Sequence, residues 1–415
     1  MSIQNNLKKA GPEFLLNLKK QNGEVFWIQD YLFAFNENYV NEIYVKQYNN
    51  FTKAGGWHKI KEGIGSGLLT SEEPKHLVNR RILNPAFHVN KINKHIDEMR
   101  SIISKELSNL QSQSEFNISD YFLNLSYIVL TNTLFNDKNL SESKEFKDIF
   151  YSIMKKTVDD EDPHHESLEE YRSSLYNLIS KVVLDRVSNE EHNDDFLDLL
   201  IESFNDGEMS LHEIVDEILS MLLAGHETTA NVVSWAICHV SLNQEIKNNI
   251  KIESDLFINK INTNGVLDSL KDLTNSEYAI KETLRLYPPV WSSPREAISD
   301  CYIEDTFIPK GTKIILSSYV SHRDEKYFDD PELFMPDRWD NNFEDTLPQG
   351  SYFPFHLGPR KCIGYRFGEI QAKITLLEFF KNFEIDLLNG MPKGVPYATY
   401  RISENFCVEL RKSDQ

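Results

Sequence analysis

The chain has 415 residues, 40% of them hydrophobic and 26% charged, which is enough for two or more packed regions and excludes a low-complexity or disordered polypeptide. A net charge of −20 excludes general binding of nucleic acid, because nothing offsets repulsion from phosphates. No apolar run of about 18 residues occurs, and no leader-like apolar run opens the chain, so no membrane insertion is expected. Cys238, Cys301, Cys362 and Cys407 lie far apart with no CxxC spacing, which reads as reduced thiols in a cytoplasmic protein.

In chain order, GEVFWIQDYLFAF (23–35) is β-branched and aromatic and predicts a hairpin. Residues 36–50 space Val40, Ile43 and Tyr44 as a helix does, and Gly55, Gly56, Gly63, Gly65 and Gly67 then predict a loop. From about residue 71 to 290 the pattern is predominantly helical. Two acidic stretches, 159–170 and 188–195, read as exposed connections, with His164 and His165 solvated rather than metal-bound. After Pro288, CYIEDTFIPKGTKIILSSYV predicts two strands turning at Pro309–Gly311. Residues 364–382 predict a helix, and NFEIDLL and YATYRISENFCVEL predict strands. The fold class is mainly α with small β-sheets: β-rich at about 20–60, at 295–320 and at the C-terminus, helical at about 71–290 and 364–382.

The chemistry concentrates in FHLGPRKCIG, residues 355–364. Thiolate is the metal-binding form of cysteine, favoured by a helix N-terminus and by positive charge. Cys362 precedes a predicted helix and has Arg360 and Lys361 beside it, while Gly358 and Gly364 allow tight backbone turns. A single cysteine without Cys or His companions argues against zinc or an iron–sulfur cluster, and suits the one axial thiolate that a haem iron takes. The pattern F-x-x-G-x-R-x-C-x-G resembles the haem-binding loop of cytochromes P450, with His356 where the family commonly has glycine. The resemblance implies heme b (iron protoporphyrin IX) with the Cys362 thiolate as its metal ligand, and Phe355, Arg360 and Gly364 as cofactor-binding residues.

Three further stretches carry the same resemblance. LHEIVDEILSMLLAGHETTANVVSWAICHV (211–240) predicts a helix of about 45 Å, weakened near Gly225. Its Ala224-Gly225-His226-Glu227-Thr228-Thr229 is similar to the family's oxygen-activating segment. That likeness implies room beside the iron at Ala224, dioxygen met by the Thr228 hydroxyl, and proton relay by Glu227. Glu282 and Arg285 share one helix face at i, i+3. They resemble the family's E-x-x-R helix, and FMPDRW (334–339) resembles the loop supplying a third charge, Arg338; the three imply a buried structural network. His76 and Arg80, i and i+4, can hold an anion together. They and Arg295 resemble positions that meet haem propionates.

The resemblance spans about residues 20–410 and implies a single catalytic domain over 1–415 with a soluble, bacterial-type cytochrome P450 fold, a long central helix over a haem. The expected activity is a monooxygenase that inserts one atom of dioxygen into a small hydrophobic substrate. The alternatives are a peroxide-driven peroxygenase and a non-catalytic haem sensor; Glu227 and Thr228 argue against both. Electrons are expected from a separate ferredoxin or flavodoxin with its reductase, docked on Lys361, Arg366, Lys373, Lys75 and Arg81. The expected substrate pocket is lined by Trp57, Leu223, Ala224, Val290, Trp291 and Tyr400.

Overall fold

The computed structural model describes residues 3–158 and 166–413; His164 and His165 lie outside the described residues. The chain separates into two compact units, one of Met1–Gly55, Ile103–Phe122 and Thr228–Gln415, the other of Gly56–Ile102 and Leu123–Glu227.

The first unit holds every described strand. β1 (Val25–Ile28) and β2 (Tyr31–Ala34) form the expected hairpin, turning at Gln29, whose φ is +55°. β3 (Phe51–Lys53) follows a helical stretch capped by Asn36, whose side chain accepts from the Asn38 amide at 2.8 Å. β4 (Gln113–Asn117) interrupts the helical middle of the chain. Beyond Pro288 come β5 (Arg295–Ala297), β6 (Cys301–Ile303), β7 (Thr306–Ile308) and β8 (Lys313–Ile315), then β9 (Phe383–Asp386), β10 (Gly394–Pro396), β11 (Tyr400–Ile402) and β12 (Cys407–Lys412). The largest sheet has the order β1-β2-β8-β5-β3 and pairs Arg295 of β5 with Lys53 of β3. Leu32, Ala34, Tyr39, Val40, Ile43, Tyr44, Ile314 and Phe353 close one buried cluster.

Two expectations are corrected, and one element is added that the sequence reading left unassigned. The turn at Pro309–Gly311 does not join two paired strands: β6 and β7 pair with each other around Glu304 (φ +49°), and β8 joins the large sheet instead. The C-terminal run is two strands in different sheets, β11 with β10 and β12 with β4 and β9. The first residues form a helix, Ile3–Asn22, broken at Gly11 (φ +58°), where an added Cβ would stand 2.6 Å from Pro396.

The second unit is helical. The glycine-rich segment expected as a loop contains the helix Trp57–Ile64, because its glycines answer to contacts rather than to flexibility. A Cβ on Gly63 would lie 2.4 Å from the Thr157 side chain, and one on Gly65 (φ +81°) would lie 1.8 Å from Asp216. Asp216 and Glu217, on the long helix Leu211–Leu242, clasp this segment: Ser66 N–H donates to Asp216 (2.7 Å) and Leu68 N–H to Glu217 (2.8 Å). Asn79 also donates to Glu217. Burial raises the Glu217 carboxyl from its ordinary 4.5 to about 7, against these hydrogen bonds.

The folded protein therefore binds this proton more tightly than the unfolded chain does. The stability it contributes is complete below pH 4.5 and is lost as pH rises through about 7. Glu217→Gln removes that loss, so urea unfolding should show the variant gaining on the wild type between those limits, by at most about 3 kcal/mol.

Candidate active site

The loop Phe353–Gly364 is built by local hydrogen bonds. His356 N–H donates to Phe353 O (3.1 Å), Lys361 N–H to Gly358 O (3.0 Å) and Cys362 N–H to Phe355 O (2.8 Å). A 3₁₀ turn, Gly358–Arg360, lifts the chain to an exposed Cys362, and the helix Tyr365–Asn382 starts three residues later. Gly358 sits at φ +67°, and an added Cβ would come within 2.2 Å of the Tyr44 carbonyl, so only glycine fits. His356 also has a positive φ, +60°, which accounts for the glycine common at this place in the family. Its ring lies on that of Tyr44, with centroids 5.4 Å apart and planes at 14°. Among the described residues no group of three His, Cys, Asp or Glu side chains can hold a metal ion. A lone thiol at the mouth of a rigid loop fits a cofactor that brings its remaining ligands with it.

Below the loop lies a buried ionic cluster. Glu282 and Arg285 are fully buried on the helix Thr274–Leu286, and Arg285 donates to both carboxylate oxygens (2.9 and 2.8 Å). Glu282 also accepts from Arg338 Nε (3.0 Å), the Met335 amide (2.9 Å) and Trp339 Nε1 (3.0 Å). Arg285 donates further to the carbonyls of His322 (3.0 Å), Pro331 (2.7 Å) and Leu333 (3.0 Å). The structure thus brings together the three residues singled out by sequence and adds two that sequence missed. Trp339 completes the carboxylate's shell, and His322 links cluster to loop by accepting from the Phe353 amide at 2.9 Å. Burial, with Arg285 and Arg323 nearby, pushes His322 down to about 3, so it is a neutral acceptor. Tyr352 adds a second tie, donating to Lys281 O (3.1 Å).

The long helix runs unbroken through Ala224–Thr229. Gly225 does not weaken it; a Cβ there would stand 2.8 Å from Leu130, so the glycine admits a neighbouring side chain. His226 packs into a cage of Tyr127, Phe150 and Tyr151 rings, and its Nδ1 lies 2.6 Å from Leu222 O. Glu227 and Thr228 are partly exposed. Thr228 begins the first unit's share of the helix, where a Cβ on Gly368 would lie 3.5 Å from the Thr229 hydroxyl; the helix that follows Cys362 therefore packs beside it.

The other predicted residues are distributed as follows. His76 is buried on the helix Lys75–Leu83, its Nδ1 3.0 Å from Glu73, and Arg80 donates to Asn84 (3.0 Å). Arg295 is buried at the start of β5, and Arg360 ends the 3₁₀ turn. Trp57, Leu223 and Ala224 belong to the second unit; Val290, Trp291 and Tyr400 to the first. Ser318 and Ser317 hold the carbonyls of Val290 (2.8 Å) and Trp291 (2.7 Å). Tyr400 is not free to line a pocket. Its ring packs with Trp235 (6.2 Å), Tyr287 (6.3 Å) and Tyr319 (5.5 Å), and its hydroxyl donates to Glu13 at 2.6 Å. The expected basic patch is also corrected: the Lys373 side chain is 12% exposed and tied to Leu270 O (3.0 Å), and Lys75 pairs with Glu213 (3.0 Å). Lys361 and Arg366 remain exposed, both against the Tyr365 ring (4.4 and 5.6 Å).

A mainly helical chain with small sheets and a lone thiol on a braced loop has the features of a haem-thiolate protein. The family profile described as Cytochrome P450 matches residues 3–399, and the chain belongs to that family. Cytochrome P450 4V2 of Homo sapiens is 26% identical over 392 residues, covering 83% of this chain and 73% of that protein. Cyclooctatin synthase of Streptomyces melanosporofaciens is 28% identical over 337 residues, covering 77% and 72%. The crystal structure of a cytochrome P450, CYP102L1, has the same fold, with a TM-score of 0.86 at 20% identity over 97% of this chain and 94% of that one. Membership makes the protein a haem-thiolate monooxygenase, its cofactor protohaem with an axial cysteine thiolate. No helix among the described residues is long and apolar enough to cross a membrane.

The ionic cluster yields a prediction. Glu282→Ala leaves Arg285 and Arg338 without the carboxylate they surround, which typically costs about 3–5 kcal/mol. Thermal unfolding and haem content after expression should show a strongly destabilised, poorly loaded protein, while Glu296→Ala on β5 should not.

Proposed function

We propose that Cys362 is the axial ligand and that the whole chain, 1–415, acts as one bacterial-type, cytoplasmic monooxygenase domain. The observation that supports this best is the loop itself, a single exposed thiol that local hydrogen bonds and the Glu282 cluster hold in place. Haem, when bound, supplies the redox chemistry that divides dioxygen between substrate and water. The chain's residues supply the rest. His76, Arg80, Arg295 and Arg360 present cationic or hydrogen-bonding groups for the cofactor's carboxylates. Phe355 gives the loop an apolar side chain, and Gly364 caps the start of the following helix. Ala224 leaves space on the long helix, the Thr228 hydroxyl holds a proton at its Oγ1, and Glu227, partly exposed, exchanges that proton with solvent.

On this reading the substrate is a small hydrophobic molecule, of the kind that apolar and aromatic side chains receive. Electrons arrive, on the same reading, from a ferredoxin or flavodoxin with its own reductase. Lys361 and Arg366, exposed next to the thiol loop, suit an acidic partner.

Two measurements test the proposal. The reduced, carbon monoxide-treated protein should show the absorption of thiolate-bound haem, and Cys362→Ala should lose it while Cys238→Ala, Cys301→Ala and Cys407→Ala keep it. Thr228→Ala should bind haem and substrate normally and still consume electrons from a surrogate ferredoxin system. Its product per electron should fall by on the order of 10²-fold, the low end for a positioned proton donor, with hydrogen peroxide taking up the difference. Full coupling in that variant, or a wild type that turns over with peroxide alone, would overturn the assignment.

A further inference from the structure

We propose that Tyr44 and His356 are positioning residues that lock the Cys362 loop to the strand end carrying Arg295, so that thiol and guanidinium are presented as one rigid pair. This rests on the reading of Cys362 as haem ligand and of Arg295 as partner of a haem carboxylate.

Tyr44 is the hub. Its carbonyl is the atom that leaves room only for glycine at 358, and its ring receives His356 at 5.4 Å. The same ring lies under the Arg295 guanidinium, whose Cζ is 4.8 Å from its centroid. The Tyr44 hydroxyl donates to Ser293 O (2.9 Å), and Arg295 Nη1 donates to Ser293 Oγ (2.8 Å) and Pro294 O (3.1 Å). One buried residue therefore touches the thiol loop at two places, by its carbonyl and by its ring, and the arginine at another.

The chemistry of the partners explains their choice. A carboxylate beside Arg295 would hold it equally well but would neutralise it. An aromatic face attracts a guanidinium while leaving its charge to act on a ligand anion. Lys53 stands opposite Arg295 in the β3–β5 register, so a second cation shares the neighbourhood. A protonated imidazole would add a third. Burial, then Arg295 and Lys53, push His356 down to about 3, and it stacks as a neutral ring. Its left-handed φ of +60° is a conformation that side chains keep only where the surroundings over-determine it.

The test is release of haem from the ferric holoprotein to excess apomyoglobin, run with protohaem and with its dimethyl ester, which lacks the carboxylates. Tyr44→Phe keeps the ring and should match the wild type. Tyr44→Leu and His356→Gly should each release protohaem roughly tenfold faster, a fold-change in the range of a desolvated cation–π contact. The double variant should be no faster than the worse single one, because both remove the same stack. With the dimethyl ester the variants should differ little from the wild type, since Arg295 then has no anion to hold. Equal acceleration with both haems, or wild-type release from His356→Gly, would overturn the proposal. Should Tyr44→Leu fail to load haem, His356→Gly carries the same comparison. A wild type without the thiolate absorption of its carbon monoxide complex would instead refute the Cys362 reading.

Discussion

One carboxylate organises the first unit. Glu282, fully buried, takes five hydrogen bonds from two arginines, a backbone amide and an indole. Desolvating a carboxylate and two guanidinium groups is costly, and a hydrophobic filling of equal volume is often as stable. What the ions provide is direction. Each donor fixes a different piece of chain: the helix itself, the Met335–Trp339 turn and, through Arg285, the carbonyls at 322, 331 and 333. An apolar core would tolerate slippage among those segments, whereas this cluster is satisfied in one arrangement. The position of Cys362 descends from it through one imidazole, because His322 offers its carbonyl to Arg285 and its Nε2 to the amide that opens the thiol loop.

The loop is thus held from two sides that differ in chemistry. From the cluster side the constraint is ionic and hydrogen-bonded. From the sheet side it is aromatic and steric, Tyr44 filling the space that Gly358 leaves and meeting the His356 ring. Two independent braces restrain the loop against both translation and tilt, as the ligand role proposed for Cys362 requires.

Much of this was legible in the sequence where the signal is local. Glu282 and Arg285 are one helical turn apart, the thiol loop is contiguous, and the β1–β2 hairpin alternates over a few residues, so spacing alone carries the information. What sequence missed depends on contacts between positions 31 to 249 residues apart. Tyr44 and Ser293, or His322 and Phe353, have no local pattern that pairs them. The glycines at 63 and 65 looked like a loop because a requirement for no side chain and a requirement for flexibility have the same spelling; Thr157 and Asp216 decide between them. Tyr400 read as a pocket wall because strand position gives a ring's direction but not the Trp235–Tyr287 stack that receives it. The N-terminal helix and the β8 partner choice were hidden for the same reason.

The buried histidines carry a final lesson about protons. His239, His322 and His356 are each pushed down to about 3 and His226 is also lowered, in every case by burial first. At neutral pH these rings are uncharged: His322 accepts from the Phe353 amide, His239 and His356 stack on aromatic rings, and His226 donates to the Leu222 carbonyl. His226, next to the proposed acid, faces an aromatic cage and a helix carbonyl, so it anchors the helix rather than passing a proton along it. Proton delivery on the proposed reading then falls to the partly exposed pair that follows it, Glu227 and Thr228. A carboxylate that reaches solvent can reload between turnovers, and a hydroxyl one residue on can hand the proton inward. A burial pattern that silences the histidines is consistent with the proposed short route through Glu227 and Thr228.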